Sequence, residues 1–308
     1  MTIVTQPPSS LRSRLAQQPY VLLTLTSLFW AGNSVLGRFA AGQIPPVTLA
    51  LLRWGVAFLL ILPFAWRPLV GDWPTLRARL GVMVLLSLIG ISIFNTLQYT
   101  ALQYTTALNV LLLQSAGPLF MAMWSLLLLG VRLTWAQAGG MLVSLVGVLI
   151  ILLRGDLAAL GAISLNRGDL IFIGAMIVFG VYPVLTLKRP VMHELSFLAF
   201  TFGCGALLLV PFAVAELMWR PAPAATMANL MTVAYVAVFP SMLAYLCYNR
   251  GVRLIGANRA APFLHLVPAI GAALAIFLLG EHLELFHLVG FALVLAGVAV
   301  AARSRVET

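Results

Sequence analysis

Charge is what this sequence has least of. Charged side chains make up 8% of the 308 residues, while 62% are hydrophobic. Soluble globular domains run at about 45–50% apolar and about 25% charged, so a water-soluble fold is excluded. Acids are scarcer than bases, with eight Asp and Glu against eighteen Lys and Arg. The eight are Asp72, Asp156, Asp169, Glu194, Glu216, Glu281, Glu284 and Glu307, and none falls near the centre of an apolar stretch. A buried carboxylate relay for protons is therefore not expected. Acidic metal clusters and His/Cys ligand sets, the usual equipment of membrane enzymes that process phosphates or lipids, are missing too. No glycine-rich phosphate loop of the Walker type occurs, which argues against ATP as a direct driver. The sequence thus calls for no metal and no cofactor, and an enzymatic role finds no residues to carry it. The two cysteines, Cys204 and Cys247, lie inside apolar stretches, where they serve as small apolar residues instead of a disulfide.

What the chain has in abundance is apolar runs long enough to cross a bilayer, each near the ~20 residues a span needs. Windows of that size place ten of them at 20–40, 47–66, 80–102, 107–128, 135–153, 168–187, 195–218, 228–249, 257–279 and 284–302. The linkers leave no room for a soluble domain. A polar, proline-containing head precedes the first run, which is too long for a signal-peptide core and is expected to stay as an anchor. The net charge of +10 does not form a basic stripe, so nucleic acid is not an expected partner. Instead the basic residues punctuate the runs. One side collects Arg12, Arg14, Arg67, Arg77, Arg79, Arg132, Lys188, Arg189, Arg250, Arg253, Arg259, Arg303 and Arg305; the other has Arg38, Arg154, Arg167 and Arg220. With an even number of spans, that bias puts both termini in the cytoplasm.

The ten runs fall into two sets of five. Pro118 and Pro268 stand 150 residues apart, and the same offset pairs Gly130 with Gly280, Leu133 with Leu283, Gly140 with Gly290, Gly147 with Gly297 and Ala107 with Ala257. Five spans is an odd number, so the second set enters the membrane from the opposite face. Inverted repeats of this kind suit a transporter, because exchanging the conformations of the halves turns an outward-open cavity into an inward-open one. Duplication that only builds a stable bundle is the plainer alternative.

Polar side chains in a lipid-facing sequence need partners or a wet cavity, so they point to the working surface. Asn95, Gln98 and Tyr99 share one helical face on the third run, and Tyr245, Tyr248 and Asn249 repeat that spacing on the eighth at the 150-residue offset. They either line a shared cavity or bond helix to helix. Gln114 and Ser115 on the fourth run fall opposite Leu264 and His265 on the ninth. His265 is expected either to meet a carboxylate or carry a proton, or to stay neutral against a neighbouring helix. Asn33 and Ser34 on the first run correspond to the neighbourhood of Tyr182 and Pro183 on the sixth, where the proline frees a carbonyl. Arg53 on the second run is close enough to one end to reach the interface; turned inward, its planar guanidinium suits a carboxylate. Trp30, Trp54 and Trp124 are candidates for cavity wall, core or lipid contact. The glycines at 139, 140 and 147 with Ser144 read as close helix packing. A channel would want a continuous ring of selective groups; this uncharged, aromatic-bearing set fits a bulky, partly apolar solute better than an ion.

Several of these residues also carry a resemblance. The Trp30-Ala31-Gly32-Asn33 pattern, Arg53 between Leu52 and Trp54, the segment Ala101 to Asn109 followed by Pro118, and the second copy from Ile255 to Ala260 followed by Pro268 and Leu279-Gly280-Glu281 resemble the EamA family of the drug/metabolite transporter superfamily. The likeness runs from about residue 20 to 302. Where the family pattern has Gly-Glu after the fourth span, this chain has Gly130-Val131; the second half keeps Gly280-Glu281. Glu281 is accordingly expected to cap or anchor a helix end. The resemblance implies an all-α membrane protein of ten transmembrane helices, in two inverted five-helix repeats (20–153 and 168–302) around a central cavity. A cytoplasmic segment, 1–19, and a tail, 303–308, flank them. Within the family the chain is similar to bacterial exporters of aromatic amino acids of the YddG type. This implies export of aromatic amino acids, and of methionine or threonine, from the cytoplasm across the inner membrane by alternating access. Trp30, Asn33, Arg53, Asn95, Gln98, Tyr99, Gln114, Tyr182, Tyr245, Tyr248 and His265 form the candidate substrate site. A broad drug or metabolite exporter is the alternative. Facilitated efflux is the expected driving mode, with His265 the one internal proton carrier to consider. The sequence leaves the oligomeric state open.

Overall fold

The computed structural model describes residues 17–130, 134–156, 166–255 and 260–303, and every regular element among them is helical. In chain order these are α1 (Pro19–Phe39), α2 (Pro46–Ala78), α3 (Leu80–Ala101), α4 (Ala107–Gln114), α5 (Gly117–Leu129), α6 (Trp135–Leu152), α7 (Arg167–Thr186), α8 (Glu194–Trp219), α9 (Met227–Ile255), α10 (Leu266–Leu279) and α11 (Leu285–Arg303). A 3-10 turn, Ala261–His265, leads into α10. Seven of the helices are long and apolar enough to cross a membrane. An eighth crossing is possible if α4 and α5, bent by 44° at a short break, act as one; α10 with part of its leading turn, and α11, are shorter apolar helices. Expectations for residues 1–16, 131–133, 157–165, 256–259 and 304–308, among them most of the N-terminal segment, the tail, Arg132 and Arg259, lie outside the described residues.

Local sequence sets the helix boundaries. Thr106, Thr134, Asn166 and Thr226 each accept a backbone N–H at a helix start, and Thr134 forms a reciprocal capping box with Gln137. Gly130 and Gly280 end α5 and α10 in the left-handed conformation, φ 65° and 67°, which glycine adopts without a Cβ penalty. Carboxylates serve as caps across the fold. Glu216 accepts from the N–H groups of Val47 (3.2 Å) and Thr48 (2.8 Å) at the start of α2. Glu281 accepts from Ala107 and Leu108 at the start of α4, both at 2.8 Å.

Two features depart from the apolar-window reading. The second run does not end near 66: α2 continues to Ala78 with Pro63, Pro68 and Pro74 inside it, a pattern that hydropathy windows cannot resolve. The third and eighth runs each contain a turn of π-helix, at Leu88–Ile93 and Val238–Leu243. These turns lie 150 residues apart, the offset that pairs Gly130 with Gly280. The repeat is therefore carried into backbone geometry and is not merely compositional.

Contacts sort the helix ends into two groups. Tyr20 at the start of α1 stacks on Phe263 before α10, and Asp72 late in α2 accepts from the His193 N–H at the start of α8. This end is called near. At the other, far end, Arg38 late in α1 donates to the Leu102 carbonyl just past α3, and Thr105 before α4 meets Asp169 in the first turn of α7. The first repeat thus starts at the near end and the second at the far end.

Between the halves, α6 and α11 cross at glycine. A Cβ on Gly147 would lie 2.5 Å from the Gly290 carbonyl oxygen, and one on Gly297 would collide with the Gly140 carbonyl oxygen; one on Gly139 would meet open space. The backbone cannot yield as a flexible side chain would, so overpacking there costs about 1–3 kcal/mol. Gly147→Val is expected to lower the melting temperature of the purified protein, and Gly139→Val to leave it unchanged. Fluorescence-detected thermal unfolding checks both.

Candidate functional site

Arg53 sits 4% exposed in the second turn of α2, and three other helices converge on it. Its Nε donates to Ser241 Oγ in the π turn of α9 at 2.7 Å. Its Nη1 faces Asn33 Oδ1 of α1 at 2.9 Å, Asn95 Oδ1 of α3 at 2.8 Å and Tyr99 Oη of α3 at 3.0 Å. Tyr99 in turn donates to Asn33 Oδ1 at 2.7 Å, which ties α1 to α3. The guanidinium carbon lies 4.4 Å from the centre of the Trp54 ring.

The π turns explain how polar atoms reach that depth. A π turn inserts a residue and leaves carbonyls without a regular helical partner. Asn95 Nδ2 supplies donors to the Gly90 and Ile91 carbonyls (3.1 and 2.9 Å), which frees its Oδ1 to face Arg53. In the matching turn Ser241 Oγ donates to Val236 O at 2.8 Å, and Trp30 Nε1 donates to Pro240 O at 3.1 Å. The two turns therefore present one accepting oxygen each, Asn95 Oδ1 and Ser241 Oγ, to the same guanidinium.

Every atom that bonds Arg53 is neutral. No salt bridge to Arg53 occurs among the described residues, so a full positive charge is held inside the bundle by dipoles alone. Removing such an ion from water costs several kcal/mol unless a counter-charge or water compensates it. The Nη2 nitrogen makes no hydrogen bond with a described residue. Nor is it among the fully enclosed unpartnered polar atoms. Trp54 Nε1 is enclosed and unpartnered, a donor left over beside the cation.

The candidate residues divide into three groups and two that stand apart. Arg53, Asn33, Asn95 and Tyr99 form one bonded cluster, and Gln98 adjoins it by donating to Ser34 Oγ at 3.1 Å. Trp30 packs with Tyr245 and Tyr248, ring centres 6.0 and 5.6 Å apart; Tyr245 also meets Phe202, which packs on Trp54. Tyr182 stacks with Phe179, which meets Phe94, and presses its ring against Gly90 in the π turn. Trp30, Tyr182, Tyr245 and Tyr248 stay part-exposed. Gln114 and His265 stand apart: both are part-exposed, and no hydrogen bond or ring contact among the described residues joins them to the cluster.

The triplets that match at the 150-residue offset play different parts. Asn95, Gln98 and Tyr99 are buried and bonded inward, whereas Asn249 donates to Glu194 at 2.7 Å at the near end. Sequence reasoning missed Ser241, Phe202 and the weight of Trp54. Ser241 carried one signal, the Pro240-Ser241 pair inside an apolar run. It also missed a second polar cluster at the far end, where Asp169, Thr105, Asn109 and His287 are all buried.

A duplicated, highly apolar helical bundle that surrounds an uncompensated cation and part-exposed aromatic rings is that of a multi-pass membrane protein. The sequence pattern of the EamA-like transporter family matches residues 18–153 and 166–303, and the chain belongs to that family. It is 29% identical to the "Uncharacterized transporter YyaM" of Bacillus subtilis, over 92% of each chain. It is 28% identical to the "Probable terminal-alkyne amino-acid exporter" of Streptantibioticus cattleyicolor, over 91% of this chain and 92% of that one. It is 25% identical to the "Biotin transporter" of Salmonella typhimurium, over 91% of each. A solved crystal structure, 19% identical, superposes with a TM-score of 0.58 over 94% of this chain and 96% of the other, a likeness of fold.

If Arg53 were kept for stability, its loss would unfold the protein. The other members of the cluster have further partners, so Arg53→Met is expected to fold with a melting temperature within a few degrees of the parent while transport falls at least tenfold. Thermal unfolding and flux on the same preparation check this.

Proposed function

We propose that this chain is an inner-membrane exporter of amino acids, aromatic ones first and methionine and threonine with them, working by alternating access. The observation that carries the reading is the buried, uncompensated Arg53 with a free guanidinium edge. A carboxylate there would form charge-assisted hydrogen bonds and neutralise the site. The rings of Trp30, Tyr245, Tyr248 and Tyr182 offer faces to a bulky side chain, Asn33, Asn95 and Gln98 offer amide groups to the polar end, and Gln114, apart from the cluster, is assigned to the path beside it. The solutes named for two relatives, a terminal-alkyne amino acid and biotin, both carry a carboxylate.

In this reading α4 and α5 act as one span and α10 and α11 each cross the membrane. Ten spans then form two inverted repeats, 20–153 and 168–302, around a central cavity in a bacterial inner membrane. Both termini are cytoplasmic, the near end faces the cytoplasm and the far end the outside. His265, near the near end, is assigned to the entrance of the path, since it does not join the Arg53 cluster.

A broad metabolite exporter is the second reading, favoured by the diversity of the relatives' named solutes. Counterflow in proteoliposomes separates the two. Labelled tryptophan or phenylalanine is expected to exchange, and Tyr99→Ala to reduce that exchange. Tryptophan amide, without the carboxylate, is expected to compete at least tenfold less well. Equal competition by the amide, or flux of unrelated cations with none of amino acids, would remove the amino-acid reading.

A further inference from the structure

Asp169 is wholly enclosed in the first turn of α7 and has no part in the Arg53 cluster. Its carboxylate accepts from Thr105 Oγ1, and Asn109 Nδ2 lies 3.1 Å from each of its oxygens. Thr105 belongs to the turn between α3 and α4, and Asn109 to the first turn of α4. Asn109 Oδ1 lies 2.9 Å from His287 Nε2 in α11. The Glu284 N–H donates to His287 Nδ1 at 3.0 Å, so Nε2 carries the ring proton and donates to Asn109. Each bond therefore has a fixed direction, from imidazole to amide to carboxylate. Backbones close on the same spot: a Cβ on Gly168 would lie 2.6 Å from the Ala101 carbonyl oxygen. Glu281 holds the first two amides of α4 from the other side.

The arrangement belongs to one end only. At the 150-residue offset Thr105 corresponds to Ile255 and Glu281 to Val131, neither of which can repeat these bonds. The charges around Asp169 are few. Arg154 at the end of α6 acts on it electrostatically, Asp156 follows on the same side, and Arg167 lies two residues back on α7. From α11 come His287 and, just before it, Glu284; Glu281 sits beyond the start of α4. Neither α3, α4 nor α5 contributes a charged residue.

We propose that Asp169 is a proton-binding site that couples the pH outside the membrane to opening of the far end. As the carboxylate it accepts from Thr105 and Asn109 and holds the start of α4 against α7. A proton from the far-side solvent adds to one carboxylate oxygen, turning an acceptor into a donor. The charge-assisted bonds, roughly twice as strong as neutral ones, are lost, and α4 is released. The sign follows directly: closed at high outer pH, released as pH falls. The proposal takes from the transporter reading only that the far end faces outward, and its test does not require the substrate to be known.

The experiment uses the full-length protein in nanodiscs with Cys204→Ser and Cys247→Ser, and spin labels at Tyr104→Cys, on the exposed turn before α4, and Leu170→Cys, exposed on α7. Dipolar broadening reports their spacing from pH 5 to pH 8.5. The expected result is a single pH-dependent step to a wider spacing at low pH. Asp169→Asn is expected to hold the wide spacing at every pH. Thr105→Val keeps the carboxylate but removes a donor to it, and is expected to move the step by about one unit to higher pH, about tenfold in proton concentration. That variant also serves if Asp169→Asn fails to fold. No step in the parent, a step unchanged in the folded Asp169→Asn or in Thr105→Val, or a step abolished by His287→Gln but not by Asp169→Asn would each overturn the proposal. An amino-acid flux that fails while the step behaves as expected would sink the substrate reading and leave this one standing.

Discussion

The structure turns on a single positive charge that the protein does not neutralise. Arg53 is held by Asn33, Asn95, Tyr99 and Ser241, four uncharged side chains from α1, α3 and α9. Such a cluster fixes where those helices meet, because each oxygen that left would expose the cation further. It also leaves the charge unanswered. A membrane interior makes an unanswered charge costly and an anion beside it correspondingly welcome. Cohesion between α1, α2, α3 and α9 comes from the Nε and Nη1 bonds, and in the proposed reading a carboxylate meets the Nη2 edge of the same guanidinium.

The paired π turns make this arrangement possible. Regular helix would spend the Gly90 and Ile91 carbonyls within the backbone, whereas the Val236 carbonyl would face Pro240, which has no N–H to give it. These carbonyls accept from the side chains of Asn95 and Ser241, whose oxygens face Arg53. The turns sit at the repeat offset, so both halves carry the same backbone feature. The halves then diverge. The first half lays its polar triplet against Arg53, and the second turns Tyr245 and Tyr248 toward Trp30. A polar seat for the cation and an aromatic wall arise from equivalent positions.

Much of this was legible from the sequence, and for identifiable reasons. The apolar runs located the helices because lipid admits little else, and prolines and glycines at one offset exposed the duplication. The polar faces on the third and eighth runs were found by helical spacing. What could not be read was side-chain direction. Arg53 was as compatible with the interface as with the interior until Ser241 and Asn95 were seen to meet it. Glu281 was expected at a helix end and caps α4. Asp169 stood at a span boundary, where a carboxylate ordinarily faces water; only the fold shows it enclosed. The π turns and the length of α2 past three prolines leave no signature in hydropathy, because the same apolar residues satisfy α and π geometry alike.

Whether Arg53 receives a carboxylate is decided by a binding cycle with tryptophan and tryptamine, which differ in that group, on the parent and on Arg53→Met. Equilibrium binding to purified protein gives four dissociation constants. The account predicts that the parent prefers tryptophan by about a hundredfold, in line with the loss of one partner from a buried charge pair, and that the variant shows little preference. The same preference in both proteins would contradict it.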